Sequence, residues 1–388
     1  MTVLTTAELE RLAQADDAEA QYALAAQFAQ AQQADEAKYW LERSAALGHP
    51  DALFTLAGGL LTASEGAVER RPEAIAGLRE AAARGSLAAL RILAALTAAG
   101  VAGEGGWPVA LGMLREACER GDAAAMREVA ALLFDREPDD EDGASLLANA
   151  AETDRFAAAL ASRRAHRGRR TAKSATSLER AFTKLTEERD EIASEQVSLA
   201  PKIVRFRGAA GIDLCDHLAV TALPRLRRQE IVDPRDNIAK PHPHRTAWGA
   251  GLGFGFADIP SVFASQRLAR LARLPHEHGE ALTILRYRPG EQYHPHHDFL
   301  GPNDPDLYVH GQRIRTALLY LNEGFIGGET HFLAPNIKFA GRSGDALVFH
   351  NVDDAGAPDV SARHAGLPVL RGEKWLASLW LRDRPFAG

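Results

Sequence analysis

"YHPHHDFL", residues 293–300, places three histidines within four positions and follows them with an aspartate. The spacing that matters is His296, one residue, then Asp298. Alternate side chains of an extended strand share a face, so an imidazole and a carboxylate at this spacing point to one place. Nitrogen and oxygen donors together suit a transition metal. The spacing alone is weak, because a chain with 14 His yields about one His-x-Asp by chance. A histidine-rich surface loop stands as the alternative until the rest of the chain is read.

The chain of 388 residues is long for one domain, and two are expected. Its 46% hydrophobic and 25% charged residues are ordinary for a globular protein. A net charge of -7 argues against a general polyanion binder, so nucleic acid is not an expected partner. "MTVLTTAELERLAQADD" (1–17) has no basic start followed by an apolar run, and no apolar run is long enough to span a membrane. Cys118 and Cys215 lie far apart; two free thiols suit a reducing compartment, and a cytoplasmic location is expected.

The first 160 or so residues are Ala-rich with apolar residues at helical spacing. They also repeat. "YWLERSAALGHPDALFTLA" (39–57), "AGLREAAARGSLAALRILA" (76–94) and "GMLREACERGDAAAMREVA" (112–130) superimpose without a gap. Gly48, Gly85 and Gly121 occupy equivalent places, spaced by 37 and 36 residues, where a left-handed turn ends a helix. "DDAEAQYALAAQFA" (16–29) is a weaker first copy and "SLLANAAETDRFAAALAS" (145–162) a degenerate last one. Two helices per unit at this period indicate an α-solenoid over residues 1–162. The repeats resemble the Sel-like repeats, relatives of the tetratricopeptide family. A plain helical bundle is the alternative, and the gapless register favours the solenoid.

Residues 163–200 read as a connection. "RRAHRGRRTAK" (163–173) is a basic run, either a contact for nucleic acid or an acidic partner, or a solvated linker; the lack of interleaved aromatic residues favours the linker. An amphipathic helix follows, with Leu178, Phe182, Leu185 and Ile192 on one side, and Pro201 in "SLAP" opens the second domain.

From 201 to 388 the pattern changes to short runs bounded by Gly, Asn, Asp or Pro. "ALTILRY" (281–287), "RTALLYLN" (315–322), "DALVFHN" (345–351) and "KWLASLWLR" (374–382) read as strands. Helices are expected near 211–223 and 261–274. Strands with helical support point to a β-sandwich or jelly roll. An iron(II) site for oxygen chemistry needs two His and one carboxylate on one face, with the remaining positions open. "SARHAGLPVLRGEKW" (361–375) offers His364 as the third ligand, and Lys374 ten residues on as a cation for a keto-acid carboxylate. Period two then puts Lys374, Leu376, Ser378 and Trp380 on one strand face.

These segments, with "LRYRPGEQYHPHHDF" (285–299), "QRIRTALLYLNEGFIGGETHF" (312–332) and "GRSGDALVFHN" (341–351) in order, resemble the iron(II)- and 2-oxoglutarate-dependent dioxygenases of the prolyl 4-hydroxylase group. The resemblance covers about 201–384 and implies a double-stranded β-helix. It makes His296, Asp298 and His364 the iron ligands. It gives Lys374 the distal carboxylate of 2-oxoglutarate, with Tyr287 and Thr316 in the same pocket. Trp380 falls where the family has a tryptophan near cosubstrate and substrate, and Arg313 at a peptide groove. Tyr287 and Thr316 as plain core residues, and Trp380 as barrel packing, are the alternatives. "GGET" (327–330) looks like the turn before an inward-facing strand. His294, His297, His310, His331 and His350 are not expected to be ligands, and His242 and His244 are expected in a loop over the substrate.

The resemblance further implies Fe(II), 2-oxoglutarate and O2 as cofactors and cosubstrates, with ascorbate as reductant. The reaction is hydroxylation of a C–H bond, with succinate and CO2 as coproducts. A prolyl residue of an intracellular protein or peptide is the leading substrate. Another side chain, a free amino acid or a small molecule is the alternative. Arg382 stands two residues after the tryptophan, where collagen-type members often carry histidine, so collagen-like chains are a poor match. The repeats are expected to recruit the protein substrate, since solenoids present concave binding surfaces, or to mediate self-association.

Overall fold

The computed structural model describes residues 5–62, 66–169, 176–187, 191–233, 238–241 and 245–386. Two compact units emerge: Met1–Asp122 with Phe254–Ile259, and Ala123–Gly253 with Pro260–Gly388. The helices expected in a repeat domain over residues 1–162 are thus shared between the two units.

The first unit contains helices α1 (Thr6–Gln14), α2 (Ala18–Gln30), α3 (Ala34–Ala46), α4 (Pro50–Leu61), α5 (Arg71–Ala83), α6 (Leu87–Ala98) and α7 (Gly106–Glu119). Gly48, Gly85 and Gly121 all have positive φ, at 82°, 115° and 87°, as the repeat register requires. Each glycine is followed by a residue that opens the next helix and also reaches back one repeat. The His49 ring accepts from the Ala52 amide through Nδ1 and lies 2.9 Å from Glu19 through Nε2. Ser86 accepts from the Ala89 amide and donates to Asp51 at 2.8 Å. Arg91 donates to Asp122 at 3.1 Å. Between these polar rungs the helices pack on small and branched residues, among them Ala57, Leu78, Ala81, Leu93 and Leu96, and Ala at such positions lets helix axes approach closely.

The second unit opens with more helices of the same composition: α8 (Ala123–Arg136), α9 (Glu141–Ala150), α10 (Arg155–His166) and α11 (Leu178–Thr186). Here the buried contacts include charge. Asp135 accepts from Arg267 at 2.8 and 3.0 Å and from the Gly211 amide at 2.6 Å. Arg164, 1% exposed, pairs with Asp213 at 2.6 Å and stacks over Phe134. Arg163 and Arg167 pair with Asp216, and Arg169 with Asp139. The described arginines of the basic run thus pair with Asp213, Asp216 and Asp139 of the same unit. Residues 170–173 lie outside the described residues. Helix α11 buries Ala181 and Phe182, while Arg180 and Lys184 pair with Asp142 and Asp140. Ile192, expected on this helix, lies past its end and packs against the barrel core.

Two further helices, α12 (Ile212–Ala222) and α13 (Ile259–Leu271), cover a barrel of antiparallel strands. In chain order these are β1 (Ser194–Leu199), β2 (Lys202–Phe206), β3 (Arg227–Arg228), β4 (Glu230–Asp233), β5 (Ile238–Pro241), β6 (Trp248–Leu252), β7 (Leu282–Tyr287) and β8 (Tyr293–His296). Helix α14 (Pro305–His310) precedes β9 (Arg313–Tyr320), β10 (Ile326–Gly327), β11 (Thr330–Phe332), β12 (Ile337–Phe339), β13 (Ala346–His350), β14 (His364–Gly366), β15 (Val369–Arg371) and β16 (Lys374–Arg382). The large sheet runs β1-β2-β13-β9-β16-β7-β6-β3 and the small one β12-β11-β14-β8. Two such sheets make the jelly roll, or double-stranded β-helix, and the chain is a multidomain α plus β protein. Alternation along the central strands sorts the side chains. Ala317, Leu319, Ala377 and Leu379 face Leu214, Leu218 and Leu268 of the covering helices. Leu318, Tyr320 and Leu376 face Phe332 and Phe339 of the small sheet.

Candidate active site

Strands β8 and β14 pair antiparallel with His296 opposite His364, which brings the two ring centroids to 4.3 Å. Asp298 lies two residues beyond His296, just past the end of β8, so a bend in the chain, not a continued strand, turns its carboxylate to the same point. Donor atoms of His296, Asp298 and His364 all lie within 4.8 Å of one another, and they form the one such cluster among the described residues. His294, His297, His310, His331 and His350 lie outside it.

The hydrogen bonds fix what these donors present. His296 Nδ1 is 2.8 Å from the His294 carbonyl and His364 Nδ1 is 3.0 Å from the Ala362 carbonyl. A carbonyl only accepts, so each Nδ1 carries the proton and each Nε2 keeps its lone pair. Those Nε2 atoms lie 3.5 and 3.7 Å from the two Asp298 oxygens. Three lone-pair donors thus converge with no proton between them, which is the electrostatics of a cation site. Burial pushes His364 down to about 4, against the pull of Asp298, so the imidazole is neutral at physiological pH. Burial opposes the Asp298 charge, and the hydrogen bond donated by the Thr316 hydroxyl favours it; the carboxyl is held below its usual range. Two imidazoles and one carboxylate are the donor set of an Fe(II) facial triad.

A cavity of about 40 Å³ opens beside the triad. Lys374, Leu376, Ser378 and Trp380 all line it, as period two along β16 requires. Lys374 is buried, and its ammonium donates to the Gly328 carbonyl at 2.7 Å. Among the described residues no carboxylate pairs with it, and burial lowers its pKa to about 8. A buried cation with donors to spare fits a ligand carboxylate. Tyr287 faces Lys374 across the ladder, and burial raises its pKa, keeping a neutral phenol in the cavity wall. Thr330, the last residue of "GGET", opens β11 and also lines the cavity. Thr316 shares a strand face with Leu318 of the cavity wall, and its hydroxyl donates to Oδ2 of Asp298, which also lines the cavity, at 2.7 Å. A larger cavity of about 210 Å³, lined by Phe325 and Trp375, has no metal-ligating cluster.

Trp380 carries two features. Its buried indole N–H has no acceptor among the described residues. Arg313 stacks over its ring at 4.8 Å, and Arg313 is itself held by Glu280 through Nε and one terminal nitrogen at 2.6 and 2.8 Å. Arg382, fully buried, grips the same Glu280 at 2.7 Å and the Gly311 carbonyl at 2.9 Å. The sequence reading missed two residues here. Tyr293 stacks on His296 at 3.5 Å with 18° between the planes. Arg245 lies over Tyr293 at 4.9 Å and over Trp380 at 5.5 Å. Tyr293 stands inside the quoted motif and three residues before a ligand, which was signal enough. Arg245 follows the Pro- and His-rich stretch and offers no spacing to read. His242 and His244 lie outside the described residues.

Comparison with known proteins agrees with this geometry. The profile of the 2OG-Fe(II) oxygenase superfamily matches residues 282–382. Prolyl 4-hydroxylase 1 of Arabidopsis thaliana is 31% identical over 207 residues, which is 50% of this chain and 73% of that protein. Prolyl 4-hydroxylase subunit alpha-1 of Mus musculus is 32% identical over 187 residues, 47% of this chain and 35% of that one. Among solved structures, a viral collagen prolyl hydroxylase from Paramecium Bursaria Chlorella virus-1 covers 47% of this chain and 96% of its own, at 24% identity and a TM-score of 0.37. A Sel1 repeat protein from Oxalobacter formigenes covers 30% of this chain and 90% of its own, at 22% identity and a TM-score of 0.27. The chain belongs to the 2OG-Fe(II) oxygenase superfamily, with a C-terminal domain of the prolyl 4-hydroxylase type.

Proposed function

We propose that this oxygenase hydroxylates a prolyl residue of a cytoplasmic protein or peptide. The observation that supports a peptide substrate is the unspent indole N–H of Trp380 in the cavity wall, with the Arg313 guanidinium over its ring and one Arg313 terminal nitrogen outside the Glu280 fork. A main-chain carbonyl is the acceptor such donors suit. The identity of about 30% to prolyl 4-hydroxylases supports proline as the residue. Two buried free thiols support a reducing location.

In this reading His296, Asp298 and His364 hold Fe(II) through one face. Lys374 binds the distal carboxylate of 2-oxoglutarate, and Tyr287 lies against the same end of the pocket. Bound iron and 2-oxoglutarate supply the activation of O2: one oxygen atom enters succinate as CO2 leaves, and the other converts a substrate C–H to C–OH. The protein needs no nucleophile or general base for this. The chain fixes both imidazole rings through the His294 and Ala362 carbonyls, keeps His364 neutral, orients the carboxylate and excludes water. The Trp380 and Arg313 donors fix the substrate main chain, which sets the carbon that is presented. The repeats of the first unit recruit the protein that carries the target.

The test is succinate release by the purified full-length enzyme, supplied with Fe(II) and 2-oxoglutarate, over a library of proline-containing peptides. Stimulation by some of these peptides, lost when their proline is replaced by alanine and abolished in Asp298→Ala, is expected. Stimulation that survives the loss of proline would move the reaction to another residue. Stimulation only by free amino acids would remove the peptide assignment.

A further inference from the structure

We infer that Asn351 and Thr316 form a positioning relay for Asp298, and that this relay sets how tightly the triad holds its metal. The inference rests on the triad being a metal site. It goes beyond that reading by assigning a role to Asn351, and by giving Thr316 a role toward the metal ligand instead of the cosubstrate.

The relay is short and buried. Thr316, 1% exposed, donates to Asp298 Oδ2 at 2.7 Å. Asn351, 0% exposed, donates from Nδ2 to the Thr316 hydroxyl at 3.0 Å. The direction of both bonds follows from chemistry alone. An ionised Asp298 only accepts, so Thr316 must spend its single proton there. The Thr316 oxygen is then an acceptor, and only the NH2 end of the Asn351 amide can face it. This arrangement satisfies Asp298 Oδ2 and the Thr316 hydroxyl, and leaves Asn351 Oδ1 without a partner among the described residues. Among the described residues no hydroxyl or amide reaches Asp298 Oδ1, so the relay engages one carboxylate oxygen and leaves the other for the metal.

The fold ties this relay to both halves of the site. Thr316 sits on β9, opposite Phe349 of β13, and Asn351 follows β13 directly. The Asn351 amide donates to the Ile314 carbonyl at 2.9 Å, and its carbonyl accepts from the Asp359 amide at 3.0 Å. Asp359 lies on the segment that leads to His364. A shift of Asn351 would therefore move the partner of one ligand and the chain leading to another. Groups that hydrogen-bond a ligating carboxylate tune metal affinity by about 10–100-fold when removed.

The experiment is calorimetric titration of Mn(II), a redox-stable stand-in for Fe(II), into the full-length protein, with thermal unfolding measured in parallel. Thr316→Val keeps the shape and loses the hydroxyl, and is expected to weaken Mn(II) binding about 10–100-fold. Thr316→Ser restores the donor and is expected to bind near wild type. Asn351→Ser shortens the second link, and is expected to fall between them with the fold retained. Folded Thr316→Val with wild-type Mn(II) affinity would overturn the relay. Equal losses in the Val and Ser variants that follow thermal stability would also overturn it, since the hydroxyl would then not matter. Wild-type protein that binds no Mn(II), or binds it equally after His364→Ala, would instead overturn the metal assignment on which the relay stands.

Discussion

The helices of the first unit and helices α8–α11 of the second share one composition but place their charges differently. In the first unit the ion pairs are mostly on the surface and local, such as Arg84–Glu80 and Arg120–Glu116, each within one helical turn. In the second unit the charges are buried and distant in sequence: Asp135 with Arg267, Arg164 with Asp213, Arg127 with Asp154. Surface pairs contribute little to stability, whereas removing one partner of a buried pair strands the other in a poor solvent. The lesson is that the repeat-like helices from 123 onward are packed into the same compact unit as the barrel. A third kind of buried charge sits in the pocket itself, where Lys374 has no paired carboxylate among the described residues.

The sharpest way to break this comparison is truncation. A chain starting at residue 201 leaves Asp213, Asp216 and Arg267 without their partners, and is expected to be insoluble on expression. A chain starting at 123 is expected to unfold cooperatively in denaturant. Equal behaviour of the two would return α8–α11 to the status of a linker.

Next in size is Asp135→Ala, which leaves Arg267 buried and the Gly211 amide unbonded. A loss of about 3–5 kcal/mol is expected from urea denaturation. Glu80→Ala in the first unit, by contrast, is expected to leave the midpoint unchanged. A similar shift from both would remove the distinction between the two regions.

Lys374 sharpens the comparison from the other side, because its burial serves a ligand. Its folded-state pKa of about 8 lies below the ordinary lysine value of 10.5, so the folded protein binds that proton less tightly than the unfolded chain. The sign follows: this group costs stability below pH 8, and the cost disappears as pH rises toward 10.5. Lys374→Met is expected to raise stability at pH 7 by about 3 kcal/mol while abolishing 2-oxoglutarate binding. In the wild type, 2-oxoglutarate affinity is expected to fall as pH rises above about 8. A Lys374→Met protein that is less stable would make Lys374 a structural residue.

Much of this was legible in the sequence. The three glycines of the repeats, spaced by one period, gave the left-handed turns, and the alternation from Lys374 to Trp380 gave the cavity wall. Both signals are local, which is why they survive without coordinates. The boundary at 122 was not legible, since α7 and α8 belong to one repeat and share its Ala-rich pattern. The fate of the basic run depended on Asp213 and Asp216, some fifty residues away. The acceptor of the Thr316 hydroxyl was not legible, because it depends on the bend that carries Asp298 past the end of β8.

The central claim is the reaction and its target, and the most direct measurement compares proteomes of cells carrying the wild type or His296→Ala, by mass spectrometry for one added oxygen. The account predicts proline-localised oxidation of one or a few proteins, lost in the variant. A lost oxidation on another residue type, or no difference between the two proteomes, would contradict it.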